Sequence, residues 1–218
     1  RCKYCKSYIS VRYVFVELLS GLITGGLIYV FLINGNISLE TVIMYILLSY
    51  VLIIISFIDF EHLIVPNVIT YSGIIFLLTV SIIFPETYYF KILLKERFLN
   101  DVSIIYSFVI CLTGMLISGG TVLITSLIGR LILKKEVMGL GDAKLMCMVG
   151  GMIGWKLGIV VFFVAPFFGL CMAIPMMIIK KTRVIPYAPF LSMATILTIF
   201  FQDYFNSIIK IYSVLFDF

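Results

Sequence analysis

Tyr50-Val51-Leu52-Ile53-Ile54-Ile55-Ser56-Phe57-Ile58-Asp59-Phe60-Glu61 closes a long apolar run with an acid on its last turn. Residues 41–57 carry no charge, and the run approaches the roughly 20 residues that a helix needs to cross a bilayer. Outward from it lie six further apolar runs, at 11–33, 67–84, 102–129, 142–154, 157–179 and 186–216. The expected fold is therefore all-α, a polytopic membrane helical bundle of about seven spans. Composition agrees: of 218 residues, 62% are hydrophobic and 12% charged, with a mean hydropathy of +1.19. Soluble domains hold about 45–50% apolar and about 25% charged residues. A transmembrane barrel would need short alternating strands, which these uniformly apolar blocks are not.

The positive charges orient the bundle. With the N-terminus inside, the sixteen basic residues divide eleven to five. The eleven fall in 1–12, 130–144 and 180–185, with none in 58–66 on the same side, the bias of cytoplasmic loops. The net charge of +5 then records this asymmetry, and no nucleic-acid partner is expected. The same topology brings two acids to one level. The 41–57 run ends inward at Asp59, and the 142–154 run begins outward at Asp142, inside Gly139-Leu140-Gly141-Asp142-Ala143-Lys144.

An ionisable group at membrane depth is costly and marks a functional hypothesis. Two carboxyls sharing a site hold one proton between them, leaving one as base and the other as acid. Such a pair suits peptide hydrolysis, where the base takes a proton from attacking water and the acid protonates the leaving nitrogen. Gly139 and Gly141 permit positive φ and close backbone approach, so residues 138–141 could lie beside an extended substrate strand. The plain alternative is that each acid caps a helix at the interface.

Other candidates read more simply. Glu61 is either a neighbour supporting Asp59 or a solvated helix end. Lys144 snorkels to the headgroups or holds a substrate carboxylate. His62, the single histidine, lies at the interface, and Glu17 pairs structurally with Arg12. Cys111, Cys147 and Cys171 are packing residues. Trp155 and Lys156 anchor the outer interface. Gly25, Gly26, Gly150, Gly151 and Gly154 offer small faces for helix packing. Pro66 starts the next helix, Pro166 and Pro175 kink theirs, and 85–101 forms the longest outer loop, with a surface helix.

The sequence resembles the type IV prepilin peptidases, membrane aspartic proteases of the Gly-x-Gly-Asp class. The resemblance rests on Ile58-Asp59-Phe60-Glu61-His62-Leu63-Ile64-Val65-Pro66-Asn67 and on Met138-Gly139-Leu140-Gly141-Asp142-Ala143-Lys144. Ile185-Pro186-Tyr187-Ala188-Pro189-Phe190-Leu191 adds to it, as does Cys2-x-x-Cys5 leading into Ile9-Ser10-Val11-Arg12-Tyr13 and Glu17-Leu18. It implies that Asp59 and Asp142 are the catalytic aspartates, in a multi-pass enzyme of the bacterial inner membrane. Such enzymes cut the basic leader from prepilins and pseudopilins at the cytoplasmic face. Many members also methylate the new N-terminus with S-adenosylmethionine, and often carry two Cys-x-x-Cys pairs. Here only Cys2 and Cys5 are present, half of a four-thiolate zinc site, so zinc and methyl transfer are expected only together with an upstream segment. Proteolysis itself requires no cofactor. Residues 1–10 are thus read as a cytoplasmic Cys-x-x-Cys remnant and 11–218 as the peptidase domain. The rivals are a preflagellin peptidase or other Gly-x-Gly-Asp protease, a membrane methyltransferase, and a proton-coupled transporter, which would place its acids near the midplane.

Overall fold

Apolar runs flanked by capping residues set the helices in the computed structural model, which describes residues 8, 10–33, 35, 37–85, 104–134, 138–180 and 186–215. Helix α1 (Val11–Leu27) starts at Ser10, whose hydroxyl accepts the Arg12 N–H at 3.3 Å, an ordinary N-cap. It runs on through a π-helical stretch, Ile28–Ile33. Helix α2 (Leu39–His62) ends where Leu63 turns left-handed (φ 54°, ψ 36°) and returns its N–H to the Asp59 carbonyl at 2.9 Å. Pro66, fixed at φ −65°, precedes the first turn of α3 (Asn67–Ile83). Helices α4 (Ile104–Leu133), α5 (Leu140–Lys180), α6 (Ala188–Phe200) and α7 (Gln202–Leu215) complete the order.

Successive segments alternate in direction. Arg12 meets Glu61 and Phe31 meets Tyr45, so α1 and α2 are antiparallel. Ser107 Oγ donates to the Pro85 carbonyl at 3.2 Å, joining the end of α3 to the start of α4. Ser126 Oγ donates to the Met138 carbonyl at 2.9 Å, joining the end of α4 to the start of α5. Ala188 meets Asp59 while Gln202 meets Tyr45, so α6 runs antiparallel to α2. Arg12, the end of α2, the start of α3 and the starts of α5 and α6 accordingly share one end of the bundle. The first half of α5 is its axis, with Leu145, Met146 and Val149 fully buried among α3, α4 and α6.

Helix α5 is not one rod. Its single non-helical residue is Gly154 (φ 86°, ψ 167°), a region open essentially to glycine alone. A Cβ on Gly158 would lie 3.6 Å from the Gly150 Cα. Eight residues of straight helix would separate the two by about 12 Å, so the chain folds back at Gly154. The two runs expected at 142–154 and 157–179 are the two arms of this hairpin. Glycine makes the fold-back possible: Gly114 on α4 faces the Gly150 carbonyl, and Gly150 and Gly158 both face Ser118. Without a hydrophobic drive between helices in lipid, such close approach through small residues is what holds them.

Among the described residues, four stretches are long and apolar enough to cross a membrane by length and composition: Val11–Ile33, Leu39–His62, Ile104–Ile132 and Leu140–Cys171. Helices α3 and α6 are shorter. The protein is an all-α, multi-pass membrane protein. Several expectations change. The last run, 186–216, is two helices, because Phe201 leaves helical geometry (φ −106°, ψ 23°) just before the polar Gln202-Asp203 pair that opens α7. The long helix breaks at Gly154 and keeps a helical backbone through Pro166 and Pro175. Pro66 caps α3 from outside its first turn. Arg12 pairs with Glu61 of α2 and not with Glu17, since the antiparallel contact of α1 and α2 brings those side chains together. Cys111 is buried as a packing residue, whereas Cys171 is exposed. Cys2, Cys5 and the loop after Pro85 lie outside the described residues.

Candidate active site at one end of the bundle

Asp59 stands on the last turn of α2 and is 5% exposed. Its Oδ2 accepts the backbone N–H of Ala188 at 3.1 Å. That amide opens α6, where unsatisfied N–H groups and the helix dipole favour a negative charge. Asp142 lies in the first turn of α5 and is 9% exposed. Its Oδ2 accepts the Gly139 N–H at 3.3 Å, so it folds back over its own helix start as a capping residue does. Capping does not isolate the acid, because the Asp59 charge still acts on Asp142. Thus α2, α5 and α6 each bring one part of the site to a common point.

The neighbouring residues play more structural parts. Gly141 sits under Val65, and a Cβ there would come within 2.9 Å of the valine Cβ. The glycine lets the α2–α3 connection close over the start of α5. Neither Gly139 nor Gly141 has positive φ; among the described glycines only Gly154 does. Gly141 already belongs to the right-handed first turn of α5, so residues 138–141 are not an extended edge in this structure. Lys144 Nζ donates to Asn67 Oδ1 at 2.8 Å and lies 4.8 Å from the Tyr71 ring centre. It ties α5 to α3. Glu61 is half-exposed and held by Arg12. His62, the last residue of α2, is exposed.

One residue was quoted in the sequence without a role. Tyr187 precedes Ala188, and its hydroxyl oxygen is buried with no hydrogen-bond partner among the described residues, a state that costs about 1–3 kcal/mol. Burial and the nearby Asp142 carboxylate push this hydroxyl up to about 12. A buried hydroxyl beside an acid is a tertiary fact, and its only sequence signal is a tyrosine at a helix start.

Among the described residues no group of three or more His, Cys, Asp or Glu side chains could hold a metal ion. Cys2 and Cys5, the expected half of a zinc site, lie outside those residues.

Residues 46–174, more than half of the chain and including both acids, match the type IV leader peptidase family. The chain belongs to that family. Leader peptidase relatives cover more of it. A prepilin leader peptidase/N-methyltransferase from Aeromonas hydrophila is 26% identical over 221 residues, which is 93% of this chain and 63% of that protein. A protein of the same name from Stutzerimonas stutzeri is 26% identical over 197 residues, 89% of this chain and 60% of its own length. A type 4 prepilin-like proteins leader peptide-processing enzyme from Escherichia coli is 30% identical over 210 residues, 94% of this chain and 67% of its own length. The chain thus spans less than two thirds of the length of the first two relatives. No solved structure matches it.

Proposed function

We propose that this member of the leader peptidase family is an aspartic endopeptidase, with Asp59 and Asp142 as its catalytic pair. The observation that carries this reading is the meeting of two buried carboxylates, brought by separate helices into one another's field. Each keeps a single described backbone donor, the Ala188 and Gly139 amides, so each retains an oxygen free of those bonds for water or substrate. One carboxylate takes the proton of a water attacking the scissile carbonyl. The other, protonated, donates to the departing nitrogen. Water is the only co-reactant, and microscopic roles within such a pair belong to the pair as a whole.

The substrates are prepilin-like proteins, by analogy with the names of the relatives. The site faces the cytoplasmic side of the bacterial inner membrane, a placement supported by the eleven-to-five division of basic residues along the sequence. N-methyl transfer, joined to peptidase activity in the relatives' names, is a second proposed reaction, with S-adenosylmethionine as the methyl donor expected from the family resemblance; it draws on nothing in the aspartate pair. A proton relay is less well supported, because both acids stand at helix ends and not near the midplane.

The test is cleavage of a purified prepilin in detergent or liposomes by the wild-type chain, Asp59→Asn and Asp142→Asn. Both variants are expected to fold and to lose cutting by at least about 10³-fold, the scale set by loss of essential general acid or base groups. Retention of substantial cleavage by either folded variant refutes the assignment.

A further inference from the structure

The peptidase reading leaves one need unmet. As water adds to the carbonyl, negative charge develops on the carbonyl oxygen beside two carboxyl groups that supply no permanent donor. Preorganised donors aimed at such an oxygen make a large contribution to catalysis in enzymes of this kind. Several described side-chain donors at this end of the bundle are already engaged. Lys144 is bonded to Asn67, Ser192 Oγ to the Ala188 carbonyl at 2.8 Å, and Thr70 Oγ1 to the Pro66 and Asn67 carbonyls. The amides of Gly139 and Ala188 are taken by the carboxylates themselves.

Tyr187 differs from all of these. Its hydroxyl is buried without a partner among the described residues, and the next residue in the chain is the one that holds Asp59. The Asp142 carboxylate acts on it electrostatically. The residue occupies the N-cap position of α6, yet its side chain makes no cap bond; the backbone carbonyl alone accepts from Phe190 at 3.1 Å and Leu191 at 3.2 Å. Packing against the core fixes the ring, while the O–H is left unspent. A native buried polar group in that condition calls for a role.

We infer that Tyr187 is a further catalytic residue, whose hydroxyl donates a hydrogen bond to the scissile carbonyl oxygen of the bound peptide and strengthens that bond as the oxygen gains charge. No proton leaves the tyrosine: the aspartate pair carries the proton traffic, and the phenol remains a donor throughout. Its high affinity for its proton suits that task. The inference rests on the peptidase reading and assigns the partner that the empty hydroxyl lacks.

Tyr187→Phe removes the oxygen and keeps the ring. Steady-state cleavage of a prepilin is expected to show kcat lowered about 10²-fold, the scale of losing one oxyanion donor, with KM within about two-fold of wild type. The Tm in the same detergent should be unchanged or higher, because the variant deletes an unsatisfied buried group. Wild-type kcat in Tyr187→Phe, with Asp59→Asn and Asp142→Asn inactive, overturns the inference and leaves the pair intact. A fall in Tm accompanied by joint changes in kcat and KM also overturns it, since that pattern belongs to a structural tyrosine. Cleavage by folded Asp59→Asn or Asp142→Asn instead removes the peptidase reading beneath it.

Discussion

The Ala188 N–H donates to Asp59 Oδ2 at 3.1 Å across 129 positions of sequence, so the end of α2 and the start of α6 are joined through a prospective catalytic group. Substitutions that keep an oxygen at residue 59 should separate structure from chemistry. Asp59→Asn retains an acceptor for the amide, whereas Asp59→Ala leaves a buried N–H unpaired, at a cost of about 1–3 kcal/mol. Thermal unfolding in detergent should therefore rank Asp59→Ala clearly below Asp59→Asn, with both inactive. Equal melting temperatures would mean that this bond does not hold α6.

Gly154 is the hinge of the α5 hairpin. With φ at 86° and ψ at 167°, any side chain is strained, and Gly154→Ala is expected to lose about 1–3 kcal/mol of stability. The measurement is denaturant unfolding in mixed micelles. A neutral result would show that the chain at 154 does not adopt this turn.

Close approach of α4 and α5 predicts a coupled pair. A Cβ on Gly150 meets the Ser118 side chain and the Gly114 carbonyl, so Gly150→Ala should cost about 1–3 kcal/mol by overpacking. Ser118→Gly should recover part of that loss and not all of it, because the backbone carbonyl cannot be trimmed. A double-mutant cycle reads the coupling; simple additivity would separate residues 118 and 150 in space.

Lys144 and Asn67 give a test of role. If the 2.8 Å bond between them ties α3 to α5, Lys144→Met and Asn67→Ala should each lower stability by about 1 kcal/mol. The double variant should cost little more than either alone. A loss of cleavage in Lys144→Met at unchanged Tm would instead give the lysine to the substrate.

Much of the architecture was readable before any coordinates. The long uncharged runs around Val51 and Val164 require helices, since a backbone in lipid must satisfy its own hydrogen bonds. Alternation of those helices was enough to bring Asp59 and Asp142 to one end. Local pattern was less reliable where a single residue decides. Phe201 is as apolar as Phe200 before it, yet the helix stops there, and Pro166 did not break a helix that Gly154 did.

Sequence by itself determined the helical class, the membrane setting and the two acids worth watching, because hydropathy and charge are properties of residues taken in order. Tertiary structure alone decided that Arg12 answers Glu61, that Lys144 answers Asn67, and that Gly141 yields to Val65 with no need of positive φ. It alone set the Ala188 amide against Asp59 and left the Tyr187 hydroxyl empty beside Asp142. Those partners lie on different helices, and the packing of one helix on another selects them from many side chains of equal local merit.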